Sequence, residues 1–290
     1  MLSTIPWKIA RLGHHGYTCI LADRNALLQV VAMGLRQTIF DLTGRSALVT
    51  GGSRGIGKAI ALGFAQAGAE LFVCSRKEDE VRAAAQEIAR QTGVRVEYIA
   101  ADMARRDDQR RLVEAAAERL GKIDILVNNA GWNVPQPIDA IRDEDWDYLV
   151  ELNLTSCMAL TRAVAPGMKQ RRWGRVIHIS SIMAMASTPA RNAYSATKSA
   201  LVAMAKASAL DLGPFGITVN CIAPGPIATD MPMSILSKPQ QDALAARTAV
   251  NRWARPEELM GPALLLASEA GSYITGTVLV VDGGALARIF

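Results

Sequence analysis

From about residue 45 the chain alternates short, nearly continuous apolar runs with longer stretches in which apolar residues recur every three or four positions. The runs are 47–49, 71–74, 94–100, 123–128, 176–180, 217–222 and 278–281. Most are β-branched and apolar at successive positions, the pattern of parallel strands covered on both faces. The intervening stretches are long enough for right-handed helical crossovers. The pattern predicts an α/β chain with one doubly wound parallel sheet of about seven strands. In such sheets ligands bind beyond the carboxyl ends of the strands. The polar motifs of the chain fall at those ends.

The run at 47–49 leads into Thr50-Gly51-Gly52-Ser53-Arg54-Gly55-Ile56-Gly57, and Ile56, Ile60, Phe64 and Ala67 follow at helical spacing. Glycines at 51, 55 and 57 allow positive φ and close approach of backbone to a ligand. The helix start presents unpaired N–H groups and a positive dipole end. Strand, Gly-rich turn and helix in that order predict a pyrophosphate cradle that includes Ser53, Arg54 and Ile56. The second run ends in Cys74-Ser75-Arg76. A carboxylate there would bond an adenosine 2′-hydroxyl; Ser75 and Arg76, with Arg54 near, suit a 2′-phosphate and point to NADP(H) over NAD. The alternative is two solvated arginines neutralised by Glu78 or Asp79. The third run ends in Ala101-Asp102-Met103, where Asp102 either accepts from an adenine amino group or caps the next helix. The fourth ends in Asn128-Asn129-Ala130-Gly131, small residues beside which a ribose fits; an ordinary Asn-rich turn reads the same way.

Strand five runs out into Ser180-Ser181. Tyr194 lies thirteen residues past Ser181, and Lys198 follows four later in a helical stretch with Leu201, Met204 and Ala205. At i and i+4 the phenol and the ammonium share a helix face. An unperturbed phenol has a pKa of about 10. A nearby cation favours the phenolate and suits it to proton transfer with a reacting oxygen. Tyr-x-x-x-Lys alone is common by chance; its place at the end of the fifth strand, with Ser181 upstream, makes it specific.

With these residues the chain resembles the short-chain dehydrogenase/reductase family from about Leu42 to Gly284. The resemblance rests on Thr50–Gly57, Asn128-Asn129-Ala130-Gly131, Asn153, Ser181 with Tyr194 and Lys198, and Pro224-Gly225-Pro226-Ile227-Ala228-Thr229. It implies a single-domain Rossmann fold and an NADP(H)-dependent oxidoreductase acting on a ketone or secondary alcohol. By the family pattern Asn153, Ser181, Tyr194 and Lys198 are catalytic. Ser181 positions the substrate oxygen, Tyr194 is the acid or base, Lys198 holds the nicotinamide ribose, and Asn153 holds a water leading to Lys198. Gly51, Gly55, Gly57, Asn129, Ala130, Gly131, Pro224, Gly225, Ile227 and Thr229 line the cofactor, with Asp102, Met103 and Arg76 at its adenosine end. Two substrate classes compete: 3-oxoacyl thioesters, including carrier-bound ones, and gluconate-type sugar acids or polyols. The stretch Arg247-Thr248-Ala249-Val250-Asn251-Arg252-Trp253 resembles the gluconate 5-dehydrogenase branch. The apolar run Ile182-Met183-Ala184-Met185 after Ser181 argues against a strongly hydrated sugar acid, which tilts the reading to the 3-oxoacyl type. A cofactor-binding sensor without turnover is the reading of another class, and the presence of Ser181, Tyr194 and Lys198 opposes it.

Bulk properties narrow this further. The net charge of +5 is scattered, favouring small anions over nucleic acid. The cysteines at 19, 74, 157 and 221 form no C-x-x-C, and only His14, His15 and His178 occur, so no metal site is expected and a reduced cytoplasmic setting is. No apolar run reaches a membrane span. Residues 1–40 form an extension with Lys8, Arg11, Arg24 and Arg36 against Asp23 alone. They read as a loosely packed addition or an upstream start before Met33, with a transit peptide or membrane-facing helix as alternatives. A substrate lid is expected near 229–252, hinged at Pro224-Gly225 or near Pro239. Trp132, Asn133, Met183, Met185, Arg191, Asn192, Met231 and Met233 are expected to wall the substrate. The apolar helices at 146–168 and 195–212 suggest a homo-oligomer, a tetramer by family pattern.

Overall fold

The computed structural model describes residues 9–11, 17–19 and 39–287. The apolar stretch 26–32 and most of the basic extension lie outside the described residues, as does the side chain of Met231. Within the extension, β1 (Ile9–Arg11) and β2 (Tyr17–Cys19) pair antiparallel, a hairpin the apolar pattern does not announce.

The main sheet contains β3 (Ser46–Thr50), β4 (Glu70–Ser75), β5 (Val96–Ala100), β6 (Ile125–Asn128), β7 (Gly174–Ile179), β8 (Ile217–Pro224) and β9 (Val278–Val281). Their order is β5-β4-β3-β6-β7-β8-β9, and every pairing is parallel. The chain winds outward from β3 to one edge, then returns to β6 and winds to the other. The reversal between β3 and β6 opens the crevice in which such sheets take ligands.

Alternation along each strand explains the apolar runs. Ala47 and Val49 face one core with Ile60, Phe64, Val81 and Ile88. Leu48 faces the other core with Phe72, Leu112, Leu160 and Val164. The first core is roofed by α1 (Gly55–Gln66) and α2 (Glu78–Thr92); the second by α3 (Arg106–Leu120). The helical stretch expected at 146–168 is three pieces: α4 (Asp143–Val150), a π-helical turn (Glu151–Thr155) and α5 (Ser156–Arg171). α6 (Asn192–Leu212) carries the Tyr–Lys pair.

Between β8 and β9, α7 (Asp230–Ile235) and α8 (Lys238–Ala246) form an excursion, followed by α9 (Met260–Ala267). Its two ends meet. Ala228 N donates to Ala254 O at 2.8 Å, and Ala254 N to Pro226 O at 3.0 Å. Gly225, expected as a hinge, is anchored: its N–H donates to Val281 O at 3.0 Å, and an added Cβ would lie 2.7 Å from the Asp282 Cα. Pro239 sits in the first turn of α8, where Ser237 and Gln240 form a capping box.

Candidate active site

The Gly-rich turn joins β3 to α1. Gly51 takes φ +65° and Gly55 φ +55°, the left-handed region that glycine enters without strain. Arg54 stands at the N-cap of α1 but its side chain gives no cap, so the first-turn N–H groups are left for an anion. Asn129, at the end of β6, braces the turn: its Nδ2 donates to Thr50 O at 2.9 Å and to Gly51 O at 3.1 Å. The Thr50 hydroxyl accepts in return from the N–H groups of Asn129 and Ala130, both at 3.0 Å. A Cβ at Gly57 would lie 2.2 Å from Gly51 O. The cradle therefore exists because these glycines and Asn129 pack on one another, and it fits a dinucleotide pyrophosphate.

At the ends of β4 and β5, Ser75, Arg76, Asp102 and Met103 border the same cavity as Arg54. The Ser75 hydroxyl donates to Lys77 O at 3.3 Å, and Arg76 Nη1 to the Tyr148 hydroxyl at 3.4 Å. Asp79 pairs with Arg82, and neither Glu78 nor Asp79 forms an ion pair with Arg54 or Arg76 among the described residues. Lys77 bonds Glu80 at 2.8 Å and holds that carboxyl below the usual carboxylate range, with smaller contributions from Arg54 and Arg76. Asp102 does not cap α3, whose N-cap is Arg105 with no side-chain cap: the Asp102 Oδ1 accepts from Ala104 N at 3.0 Å and closes the turn after β5.

Beyond the end of β7, Ser181 is 8% exposed and its Oγ accepts from Met183 N at 3.1 Å. Across from it, α6 presents Tyr194 and Lys198 one turn apart. The Lys198 Nζ lies 5.6 Å from the centre of the Tyr194 ring and donates to Ile179 O at 2.7 Å. Ser180 Oγ donates to Lys198 O at 2.9 Å, tying α6 to the strand end. Asn153 is fully buried in the π turn. Its Oδ1 accepts from Trp132 N, and its Nδ2 donates to Trp132 O, both at 2.9 Å. The amide thus clamps the loop after β6. A Cβ at Gly131 would sit 3.1 Å from Asn153 Oδ1 and 3.4 Å from Lys198 Nζ, so both groups converge on that glycine. Behind Lys198, burial, with the nearby ammonium adding, pushes the His178 imidazole down to about 4 and keeps it neutral. Burial also pushes the Cys74 thiol up to about 12, which removes it as a nucleophile on the cavity wall.

A cavity of about 810 Å³ joins these parts. Every residue expected to hold the cofactor borders it, as do Ser181, Tyr194 and Lys198; Asn153 stands behind Gly131 and Trp132. Of the residues expected to wall the substrate, Trp132, Asn133, Met183 and Arg191 border the cavity. Met185, Asn192 and Met233 do not: Met185 is 48% exposed, and the Asn192 amide is turned to Gln136 O at 3.4 Å. The expected methionine wall reduces to Met183 among the described side chains, because the short 3₁₀ turn Ile182–Ala184 carries the chain away after one residue. Leu152, Pro232 and Trp253 line the cavity unforeseen. Trp253 also donates from its indole to Gln241 O at 2.8 Å, tying α8 to a residue of the cavity wall. Thr50 and Ser180 were likewise missed as supports; their only sequence signal is adjacency to the motifs.

A parallel sheet of this order, with a glycine cradle at one strand end and a Ser–Tyr–Lys set two strands away, is that of a dinucleotide-dependent oxidoreductase. A family model described as enoyl-(acyl carrier protein) reductase matches residues 51–285, and the chain belongs to the short-chain dehydrogenase/reductase family. Gluconate 5-dehydrogenase of Gluconobacter oxydans is 38% identical over 85% of this chain and 96% of its own. The 3-oxoacyl-[acyl-carrier-protein] reductase of Chlamydia muridarum is 37% identical over 84% of this chain and 98% of its own. Among solved structures, a gluconate 5-dehydrogenase from Burkholderia cenocepacia in complex with NADP and tartrate superposes with a TM-score of 0.81. It is 35% identical and covers 86% of this chain and 98% of that one.

Proposed function

We propose that the protein is an NADP(H)-dependent oxidoreductase that interconverts a ketone and a secondary alcohol, with Tyr194 as the acid–base group. The observation that carries this reading is the meeting of Ser181, Tyr194 and Lys198 in the cavity that begins at the glycine cradle. The bound nicotinamide supplies or accepts the hydride at the carbonyl carbon. The α1 N-terminus and the Gly51–Gly57 turn hold the pyrophosphate. Arg54 and Arg76, which form no ion pair among the described residues although Glu80 on the same wall feels their charge, take the 2′-phosphate. Ser181 Oγ, already accepting from Met183 N, donates its proton toward the substrate oxygen. Tyr194 gives its proton to that oxygen in reduction and takes it back in oxidation. Lys198 orients the ribose, and Asn153 keeps the Trp132 loop in place beside it. The α7–α8 excursion, tied at its neck, acts as the lid that excludes water.

Of the substrate classes, a 3-oxoacyl thioester, free or on an acidic carrier, draws support from Trp132, Leu152, Met183 and Trp253 on the wall. Arg191 favours a charged substrate. Consumption of NADPH with a panel of ketones tests the reading: NADPH is expected to be used better than NADH by about 10- to 100-fold in kcat/KM, the worth of a charge-assisted phosphate contact. Equal use of both removes the role given to Arg54 and Arg76. Cofactor binding without turnover of any ketone or alcohol would make the protein a sensor.

We also infer a homotetramer in the cytoplasm. Trp146 and Met158, on α4 and α5, are exposed, and Leu210 on α6 is 80% exposed. Apolar groups on these faces favour burial against copies of the same helices. Cys74, Cys157 and Cys221 are free thiols, in keeping with a reducing compartment, and no described helix is long and apolar enough to cross a membrane. Sedimentation at micromolar concentration is expected to give one species of four chains; a lone monomer overturns the assembly.

A further inference from the structure

We infer that Arg191 is a carboxylate-binding residue of the substrate pocket, so that the substrate is a small oxo acid or hydroxy acid. The inference rests on the proposed function, since it concerns what that site takes. Arg191 immediately precedes α6, three residues before Tyr194, and borders the cavity together with Ser181, Tyr194, Met183 and Trp253. A cation at a helix N-terminus opposes the helix dipole and is unfavourable unless an anion joins it. Among the described residues none does. Arg191 forms no cap on α6, and its guanidinium has no carboxylate partner. It is half-buried, so solvent compensates it only in part.

Its backbone is held firmly. Ala190 takes φ +62°, a conformation that costs a non-glycine residue energy, and Gln136 N donates to Ala190 O at 3.0 Å. Gln136 also bridges to Arg191 in a parallel β-bridge, and Arg191 O accepts from Ser195 N at 2.7 Å. A strained residue buttressed on both sides fixes where the arginine leaves the chain.

The other charged groups on the wall are accounted for. Arg54, Arg76 and Lys77 lie at the adenosine end, with Lys77 paired to Glu80. Lys198 is bonded to Ile179 O, and the Asp102 carboxylate closes its own turn. Asp230 also borders the cavity, but it stands in the first turn of α7, where the helix dipole suits a carboxylate, and it forms no ion pair with Arg191. The substrate end thus carries an unpaired, forked donor beside the reacting position. A carboxylate matches that fork with two parallel hydrogen bonds, whereas a thioester or neutral ketone offers nothing equivalent. Arg191 stands three residues before Tyr194 and borders the same cavity, so the carboxylate and the reacting carbonyl belong to one small molecule. In reduction, hydride from NADPH adds to the carbonyl carbon, Tyr194 protonates the oxygen, NADP⁺ leaves, and the carboxylate is unchanged.

The test compares 5-ketogluconate and 4-oxopentanoate, each against its neutral amide, with NADPH as reductant. Wild type is expected to prefer at least one acid over its amide by about 100-fold in kcat/KM, chiefly through KM. Arg191→Met is expected to reduce that ratio to below about 3, and Arg191→Lys to leave an intermediate value. The ratio is taken within one preparation, so loss of folded protein cancels. An acid-to-amide ratio near one in wild type, or one unmoved in Arg191→Met, overturns the inference. So does turnover confined to neutral ketones or an acetoacetyl thioester, which would leave the proposed function standing. Failure of every carbonyl compound removes both.

Discussion

Tyr194→Phe is expected to lower kcat/KM for ketone reduction by about 10³-fold, a transition-state loss of about 4 kcal/mol. The change deletes one hydroxyl and keeps the ring. The backbone of Tyr194 stays engaged, because its carbonyl accepts from Thr197 Oγ1 at 2.9 Å, and Lys198 keeps its bond to Ile179 O. What goes is the proton donor to the developing alkoxide. Ser181 remains to hydrogen-bond that oxygen, but its hydroxyl has no adjacent base to restore a proton. NADPH affinity should change by tenfold at most, since one hydrogen bond to a ribose is worth about 1 kcal/mol. Stopped-flow hydride transfer and a fluorescence titration of NADPH separate the two quantities. Turnover that survives the substitution unchanged would remove Tyr194 from the mechanism. A collapse of NADPH binding with unaltered chemistry per bound complex would make it a cofactor-positioning residue instead.

The inner strands were legible because they bury both faces, which leaves nearly unbroken apolar runs, whereas the edge strands β5 and β9 stay partly exposed. Leu48 between Ala47 and Val49 belongs to a different core from its neighbours, and no polar residue fits between them. Strand ends were less legible where caps and ions intervene. The third main strand begins at Val96 rather than 94 because Gly93, at φ +75°, ends α2 in the left-handed conformation and turns the chain first. The fourth begins at Ile125 because Asp124 is held in a buried ion cluster, bonded by Arg171 at 3.2 Å and Lys122 at 2.8 Å. The strand order and the position of the crevice depend on long-range pairing that periodicity does not carry.

At the site, legibility followed the distance between partners. Tyr194 and Lys198 are one helical turn apart, so their spacing is itself the geometry. Asn153 lies far along the chain from Trp132 and Thr197, the groups it bonds, and only the family resemblance marked it. The methionine run after Ser181 misled in the opposite way: it looks like a wall, but a 3₁₀ turn sends Met185 to solvent. That removes most of the sequence argument against a polar substrate. Arg191, one candidate among eight along the chain, becomes distinctive only once its lack of a partner is seen in three dimensions.

Gly57→Ala is expected to weaken NADPH binding by at least about 100-fold and to destabilise the fold by about 1–3 kcal/mol, the usual cost of forcing an extra methyl into a full space. No strain of φ is involved, since Gly57 is an ordinary helical residue in α1, where alanine is by intrinsic propensity better by about 1 kcal/mol. The effect is one of space alone. The new Cβ would stand 2.2 Å from Gly51 O and 2.4 Å from Asn129 Nδ2, and the first of these is backbone that no rotamer change can move aside. To reach normal contact the turn must move by about 1 Å. That movement pulls Gly51 O away from Asn129, whose amide is what fixes the cradle to the end of β6. The N–H groups aimed at the pyrophosphate then diverge, and charge-assisted bonds weaken steeply as they misalign. Gly261→Ala is the matching control. It is also helical, an added Cβ there meets nothing within 4 Å, and its melting temperature should equal or exceed that of wild type. Thermal melts with and without NADPH read both quantities at once: wild type and Gly261→Ala should gain stability on adding cofactor, and Gly57→Ala should not. If Gly57→Ala binds NADPH within threefold of wild type, the turn from Gly51 to Gly57 is not where the pyrophosphate sits.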